Sequence, residues 1–326
     1  MKAVWYEKVG KADDVLKIGS IDDPHPLKGE VLVEMKSSGI NPSDVKIRAG
    51  ARGELQYPRV IPHSDGGGII VEVGEGVDTN RIGERVWIWN GAFERPFGTC
   101  AELVSIPEIQ AVKLNQNTSF AEAACLGIPA STAYYGIFAD GDVKDKTILV
   151  TGGVGAVGSY GIQLAKWGGA KVISTVSSSL KAEGAKNNGS DLVLNYKEDD
   201  VINNILDFTN GNGVDRILEV EFGGNLKVNE KIIKKNGVIA SYGSAAIMDP
   251  KLPFYDLMFK GVKIDTYLIY IVEKDIRKEI INGLNKAIDE GSLYHRVAQT
   301  YSLEEVIQAH QDVESGTMVG NAVINL

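Results

Sequence analysis

Residues Thr147-Ile148-Leu149-Val150-Thr151-Gly152-Gly153-Val154-Gly155-Ala156-Val157-Gly158 decide how this chain is read. A short apolar run enters Gly153-x-Gly155-x-x-Gly158 directly, and the residues from there to about Trp167 read as a helix. Glycines alone carry little information, but a strand, a glycine-rich turn and a helix in this order mark a dinucleotide-binding βαβ unit. The first glycine permits a tight turn, the second lets backbone approach a pyrophosphate, and the third lets helix pack on strand. The anion then rests on the free N–H groups and positive end of the helix. Cofactor contacts are therefore expected from Gly153, Val154, Gly155, Ala156, Val157 and Gly158.

The same grammar continues outward. Val172-Ile173, a helix around Leu180 to Lys186, Leu192-Val193-Leu194, a helix from about Asp200 and a strand from Val214 to Val220 alternate at short spacing. A helix from about Asn225 and a strand from Gly237 to Tyr242 extend the run. This is the pattern of a doubly wound parallel sheet, an α/β Rossmann domain. The first 115 residues differ. Val31, Val33 and Met35 alternate with polar neighbours, Ile69, Val71 and Val73 do the same, and Val86-Trp87-Ile88-Trp89 follows Gly83. Turns such as Gly74-Glu75-Gly76 separate them, which predicts a compact, partly closed β domain. Beyond residue 265, a helix near Asp275 to Glu290 and short strands around Val297 and Val319 finish the chain. The change of period divides it into 1–120, 121–264 and 265–326.

The second strand of the unit ends in Ser174-Thr175-Val176-Ser177-Ser178-Ser179, with no acid before Glu183. An NAD site places a carboxylate there to accept from the ribose hydroxyls, and a carboxylate repels a 2′-phosphate. Hydroxyls such as that of Ser177 can donate to the phosphate, and Lys181 can supply charge. A charge-assisted hydrogen bond contributes about 1.5–3 kcal/mol, roughly tenfold to a hundredfold in affinity. NADPH is expected over NADH.

Composition excludes several other roles. Lys and Arg number 34 against 43 Asp and Glu, a net charge of −9 that opposes nucleic acid as a main partner. The two cysteines, Cys100 and Cys125, give no disulfide framework and read as small core residues. Met1 runs into Lys2-Ala3-Val4-Trp5-Tyr6 without the pattern of a secretory signal. The most apolar stretch, Phe120 to Ala139, holds Pro129 in its middle and begins with the capping box Ser119-Phe120-Ala121-Glu122. It reads as a helix, a break and a second helix rather than a membrane span. A cytoplasmic location is expected.

Further motifs carry a resemblance. Gly39-Ile40-Asn41-Pro42-Ser43-Asp44, Ile47-Arg48-Ala49-Gly50, Ser64-Asp65-Gly66-Gly67-Gly68-Ile69-Ile70-Val71-Glu72-Val73-Gly74, Gly83-Glu84-Arg85-Val86, Gly98-Thr99-Cys100-Ala101-Glu102 and Asn195-Tyr196-Lys197-Glu198 join the glycine fingerprint. With them the whole chain resembles zinc-independent medium-chain dehydrogenase/reductases of the quinone oxidoreductase (zeta-crystallin-like) kind. The resemblance implies a GroES-like β domain completed by the C-terminal tail, an inserted Rossmann domain and a homodimer. It implies that Lys181 and Tyr196 hold the 2′-phosphate and adenine end, and adds Ser177, Gly243, Ser244 and Asn321 to the cofactor contacts. Asn41 would lie beside nicotinamide and substrate, and Thr132 would contact the nicotinamide amide. The places of the zinc ligands in metal-dependent relatives match Asn41, Ser64 and Ile128, so no metal is expected.

Without a Lewis acid, the acceptor is polarised by hydrogen bonds. That suits quinones and activated α,β-unsaturated carbonyls, whose reduction passes through a delocalised anion. Asn41 is the first candidate to orient the acceptor oxygen. The chain departs from its relatives at Lys46, where several carry a tyrosine. Tyr57 matches a second such tyrosine, and His63 stands where glycine is usual, so either could supply the proton, as could solvent. An enoyl-thioester or alkenal reductase is the runner-up, with Arg48, Arg52 and Arg59 as a basic mouth for a phosphorylated arm. A low-turnover NADPH-binding sensor is the third reading.

Overall fold

The alternating segments of the first third are realised as strands in a computed structural model, which describes residues 1–326. In chain order they give β1 (Lys2–Trp5), α1 (Ala12–Val15), β2 (Lys17–Ser20), β3 (Glu30–Ile40), α2 (Pro42–Arg48), β4 (Asp65–Val73), β5 (Arg85–Ile88), β6 (Leu103–Pro107), β7 (Ala111–Lys113) and α3 (Phe120–Ala123). After α4 (Ser131–Phe138) the βα alternation begins, with β8 (Thr147–Val150), α5 (Ala156–Trp167), β9 (Lys171–Val176), α6 (Ser179–Asn187), β10 (Leu192–Asn195) and α7 (Val201–Phe208). It continues through β11 (Val214–Glu219), α8 (Phe222–Ile232), β12 (Ile233–Ser241), α9 (Phe254–Lys260), β13 (Lys263–Thr266) and α10 (Lys274–Asp289). The chain closes with β14 (Val297–Ser302), α11 (Val306–Glu314) and β15 (Asn321–Asn325).

Two compact units result, Met1–Pro129 with His295–Leu326, and Ala130–Tyr294. The divisions expected at 121 and 265 therefore move to 130 and 295. Residues 265–294 stay with the second unit because β13 pairs in parallel with β12 and α10 packs on α4. Residues 121–129 stay with the first because α3 lies against β3 and β4.

In the first unit one sheet runs β14-β15-β3-β4-β5-β7, with β6 also paired to β3. The C-terminal strand β15 enters it antiparallel to β3, so the tail completes the β domain. Val31, Val33, Met35, Val86 and Ile88 point into its core as their alternation predicts. β4 is out of the expected phase. Ile70 is buried and Val71 is 40% exposed, because the β3–β4 register shifts between the pairs Leu32–Glu72 and Val33–Ile70 and leaves Val71 without a partner in β3. The extra residue moves the inward face of β4 by one position.

The second unit is a six-stranded parallel sheet in the order β10-β9-β8-β11-β12-β13. Chain order reverses at β8, with β9 on one side and β11 on the other. The carboxyl ends of β8 and β11 thus flank a topological switch point, the place where such sheets bind ligands. The apolar stretch from Phe120 forms α3 behind the Ser119–Glu122 capping box, then a π-turn over Leu126–Ala130 containing Pro129, then α4. No helix is long and apolar enough to cross a membrane.

The packing of α3 on β3 leaves no room at Gly39, where an added Cβ would lie 2.0 Å from the Ala124 carbonyl oxygen. Both sides of that contact are backbone, so Gly39→Ala should cost about 1–3 kcal/mol or more. The expected result is a lower urea midpoint with an unchanged slope; an unchanged midpoint would show that the two segments separate freely.

Candidate functional site

The turn between β8 and α5 is built almost entirely by glycine. Gly152 takes the left-handed conformation (φ +67), so the tight turn assigned to Gly153 belongs to the residue before it. Gly153 is needed for another reason, since a Cβ there would lie 2.8 Å from that of Ser174. The Gly153 N–H donates to the Thr175 carbonyl at 3.0 Å, tying the turn to β9. A Cβ at Gly158 would come 2.2 Å from the Gly152 carbonyl oxygen, which fixes how closely the helix sits on the turn. Gly155 occupies the N-cap of α5, where no side chain caps the helix, and a Cβ there would meet only the Gly152 oxygen at 3.4 Å. An uncapped helix start beside open backbone fits an anion such as a pyrophosphate.

The other expected contacts gather at the same carboxyl edge of the sheet. Ser177 follows β9, and Ser178 caps α6 by accepting from the Lys181 N–H at 3.4 Å. Tyr196 follows β10 and is 55% exposed. Beyond β12, the Gly243 carbonyl accepts from Phe222 N–H at 2.9 Å. The Ser244 hydroxyl accepts from Gly223 N–H at 2.9 Å and donates to the Ile247 carbonyl at 2.5 Å. Thr132 lies in the first turn of α4, where its carbonyl accepts from the Tyr267 hydroxyl at 2.8 Å.

Two acids that sequence reasoning passed over end β11. Glu219 is wholly buried, and Glu221 caps α8 while accepting from the Ala245 and Ala246 N–H groups at 2.7 and 3.0 Å. The signal was present. An acid closing the apolar run Ile217-Leu218 at the carboxyl end of a parallel strand is out of place in a core.

In the first unit Asn41 caps α2, and its N–H donates to Asp44 Oδ2 at 2.8 Å. Its amide donates to Asp65 Oδ2 at 2.8 Å, an oxygen that also accepts from Ile128 N–H at 3.0 Å. Asp44 is buried beneath this arrangement and is pushed up to about 7 by desolvation, which the Asn41 hydrogen bonds oppose. The three places matched to zinc ligands thus offer an amide already bonded to a carboxylate, a buried serine hydroxyl and an alkyl group. No group of three or more His, Cys, Asp or Glu side chains is arranged to hold a metal. Burial pushes both cysteine thiols far up, which suits core residues.

His63 is not placed to serve an acceptor. It is wholly buried in a left-handed conformation (φ +76) that costs a non-glycine residue about 1–2 kcal/mol. Both ring nitrogens are occupied, Nδ1 by Ser38 Oγ at 2.9 Å and Nε2 by His310 Nε2 at 2.9 Å. The tautomers follow from counting protons. Thr99 Oγ1 donates to the Asp65 carbonyl at 2.6 Å, so it accepts from Ser38 Oγ at 2.8 Å. Ser38 then accepts from His63 Nδ1–H, and His63 Nε2 accepts from His310 Nε2–H. The result is one directed chain from His310 to Asp65.

Other candidates are also committed within the fold. The Tyr57 hydroxyl donates to the Glu94 carbonyl at 2.6 Å. The Asn321 amide and N–H both donate to the Arg296 carbonyl, at 3.1 and 2.9 Å, where β15 begins. Arg48 is wholly buried between the Gly10 carbonyl and Glu314, and Arg59 pairs with Glu7 over the Trp5 ring. Burial closes Arg48 to a phosphorylated substrate arm, whereas Arg59 stays half-exposed and Arg52 is exposed.

Residues 27–139 match the alcohol dehydrogenase GroES-like domain model, and residues 156–284 match the zinc-binding dehydrogenase model. The chain is 30% identical over 325 residues to a quinone oxidoreductase of Rattus norvegicus, covering 98% of this chain and 96% of that protein. It is 34% identical over 285 residues to a 2-methylene-furan-3-one reductase of Solanum lycopersicum, covering 78% and 73%. The crystal structure of Escherichia coli quinone oxidoreductase complexed with NADPH matches it with a TM-score of 0.87 at 26% identity, over all of both chains.

The buried imidazole pair gives the fold an acid sensitivity. Burial holds His63 well below 6.5 and, with Arg48 nearby, lowers His310 to about 3. The folded state binds fewer protons than the unfolded one, so this stability is complete above about 6.5 and is lost as pH falls toward 3. Asp44, raised by burial, acts in the opposite sense, stabilising most below its ordinary 3.8 and least above 7. His310→Gln should therefore lower Tm at neutral pH and flatten its decline between pH 6.5 and 4. A decline as steep as that of the unsubstituted protein would exclude the pair as its source.

Proposed function

The chain belongs to the quinone oxidoreductase family of the medium-chain dehydrogenases and reductases and is an oxidoreductase, and we propose that it transfers hydride from NADPH to quinones or other activated α,β-unsaturated carbonyls without a metal. The observation that carries this reading is the uncapped start of α5 at the switch point, beside a β9 end that offers serines and Lys181 where an NAD site needs an acid. When bound, the nicotinamide supplies the hydride. With the Gly153 and Gly155 N–H groups given to the Thr175 and Gly152 carbonyls, the N–H groups of Val154 and of Ala156 to Gly158 would hold the pyrophosphate, Ser177, Lys181 and Tyr196 the 2′-phosphate and adenine end, and Gly243 and Ser244 shape the neighbouring loop. Hydride transfer to these acceptors leaves a delocalised anion that needs little more than hydrogen-bond donors. With the Tyr57 and His63 protons committed to Glu94 and to the Ser38 chain, solvent is the proton source.

Small enones and alkenals fit the same chemistry, and the likeness to the tomato furanone reductase favours them as a second reading. The thioester reading loses Arg48 to burial and keeps the exposed Arg52 and the half-exposed Arg59, which pairs with Glu7. A homodimer is proposed through β13, which ends its sheet, and through Phe254, Tyr255, Met258 and Phe259, exposed on the helix leading into it.

Oxidation of NADPH and of NADH with a benzoquinone, an ortho-quinone, an alkenal and an enoyl thioester, in the presence of chelator, tests the proposal. Turnover of a quinone or enone is expected with NADPH, with far less from NADH. Lys181→Ala should raise KM for NADPH about tenfold to a hundredfold and leave that for NADH within twofold. Tight NADPH binding without turnover of any acceptor would point to the sensor reading, and inhibition by chelator would overturn the metal-free one.

A further inference from the structure

Glu219 closes β11 as a wholly buried carboxylate, and what surrounds it is unusual. Its Oε1 accepts from Thr151 Oγ1 at 2.8 Å, Glu221 N–H at 2.7 Å and Asn225 Nδ2 at 2.9 Å. Its Oε2 accepts from Asn229 Nδ2 at 2.7 Å. Burying a carboxylate is costly unless its oxygens are satisfied, and here neutral donors satisfy both. The protein maintains this group in its interior although a shorter apolar residue would fill a strand end more simply.

Its donors show what it does. Asn225 and Asn229 come from α8 and Glu221 from the connection to it, but Thr151 belongs to the neighbouring strand's loop, one residue before the left-handed Gly152. The Thr151 N–H donates to the Leu218 carbonyl at 3.0 Å, and its hydroxyl oxygen accepts from Val220 N–H at 2.9 Å. The hydroxyl has one proton, which goes to the nearer acceptor, Glu219 at 2.8 Å, rather than the Leu218 carbonyl at 3.2 Å. On its other side the turn is held by Gly153 N–H on the Thr175 carbonyl and by the Asn188 amide, which donates to the Gly153 carbonyl at 3.4 Å. The glycine turn is strung between β9 and β11, and at the β11 end the backbone bond of Thr151 is joined by one side-chain acceptor, the Glu219 carboxylate that orients the Thr151 hydroxyl.

We infer that Glu219 is a positioning residue for the pyrophosphate-binding turn and acts through Thr151, without touching the nucleotide; this rests on the NADPH reading above. Its charge alone would oppose an anion bound nearby, so electrostatics and positioning make opposite predictions for an isosteric neutral side chain. Glu219→Gln removes the charge and replaces one acceptor oxygen with a donor facing donors.

Calorimetric titration of the full chain with NADPH and with 2′-AMP, which has the adenine end but no pyrophosphate, separates these cases. Glu219→Gln and Thr151→Val should each raise the Kd for NADPH tenfold or more and leave that for 2′-AMP within twofold. Thr151→Ser, which keeps the hydroxyl, should bind both as the unsubstituted protein does. Tighter or unchanged NADPH binding by the first two variants, or an equal loss of both nucleotides, would overturn the inference. If Glu219→Gln does not fold, the Thr151 pair decides alone. Absence of NADPH binding by the unsubstituted protein would instead refute the cofactor reading on which the inference depends.

Discussion

The approach of the start of α5 to the Gly152 carbonyl is the constraint on which the second unit is arranged. That oxygen accepts from Gly155 N–H at 2.9 Å and would meet a Cβ at Gly158 at 2.2 Å. The helix can start this close to its strand only if the turn reverses within a few residues, which the left-handed Gly152 permits. Once it does, the uncapped helix end faces the crevice between β8 and β11. The parallel order of the sheet then brings the ends of β9, β10 and β12, with Ser177, Tyr196 and Gly243, to the same edge. In the proposed reading, the pyrophosphate contacts follow from that backbone geometry.

The two units solve the problem of buried polarity differently. The second unit uses a carboxylate, with neutral donors converging on Glu219 from two strand ends and a helix. The first unit uses a chain in which His310 gives a proton, His63, Ser38 and Thr99 each take one and give one, and the Asp65 backbone carbonyl takes the last. Such a chain rigidifies the interior, and His63 must stay neutral for it to persist because its Nε2 has to accept. It ties α11, from the end of the chain, to β3 and β4, so the tail is held by polar bonds as well as by the pairing of β15 with β3.

What could be read in advance was local. The strand–turn–helix unit, the break at Pro129 and the Ser119 capping box each depend on residues within about a dozen positions, and the structure forms all three. The phase of β4 could not be read, because it depends on irregular pairing with β3 rather than on its own alternation. The end of the second unit was missed by thirty residues because β13 is only Lys263–Thr266, and its membership is settled by pairing with β12. His63 attracted attention as an oddity near the motifs, yet its partner His310 lies 247 residues away. Without that partner a buried structural histidine and a proton donor look alike. The glycine turn was legible for the opposite reason, since its geometry is local: Gly152 is left-handed, and a Cβ at Gly158 would lie 2.2 Å from the Gly152 carbonyl oxygen.

These commitments bear on which acceptors the proposed chemistry can serve. An alcohol or simple ketone passes through an alkoxide whose charge sits on one oxygen, and it needs a cation or a well-placed acid at the moment of transfer. Here the places matched to zinc ligands offer Asn41, Ser64 and Ile128, with the Asn41 amide donating to Asp65. Tyr57 and His63 have given their protons to the protein itself. A quinone or enone makes a smaller demand, because its own conjugated system spreads the charge and water can protonate it afterward. With the Tyr57 and His63 protons committed, the proposed chemistry favours acceptors that stabilise their own anions.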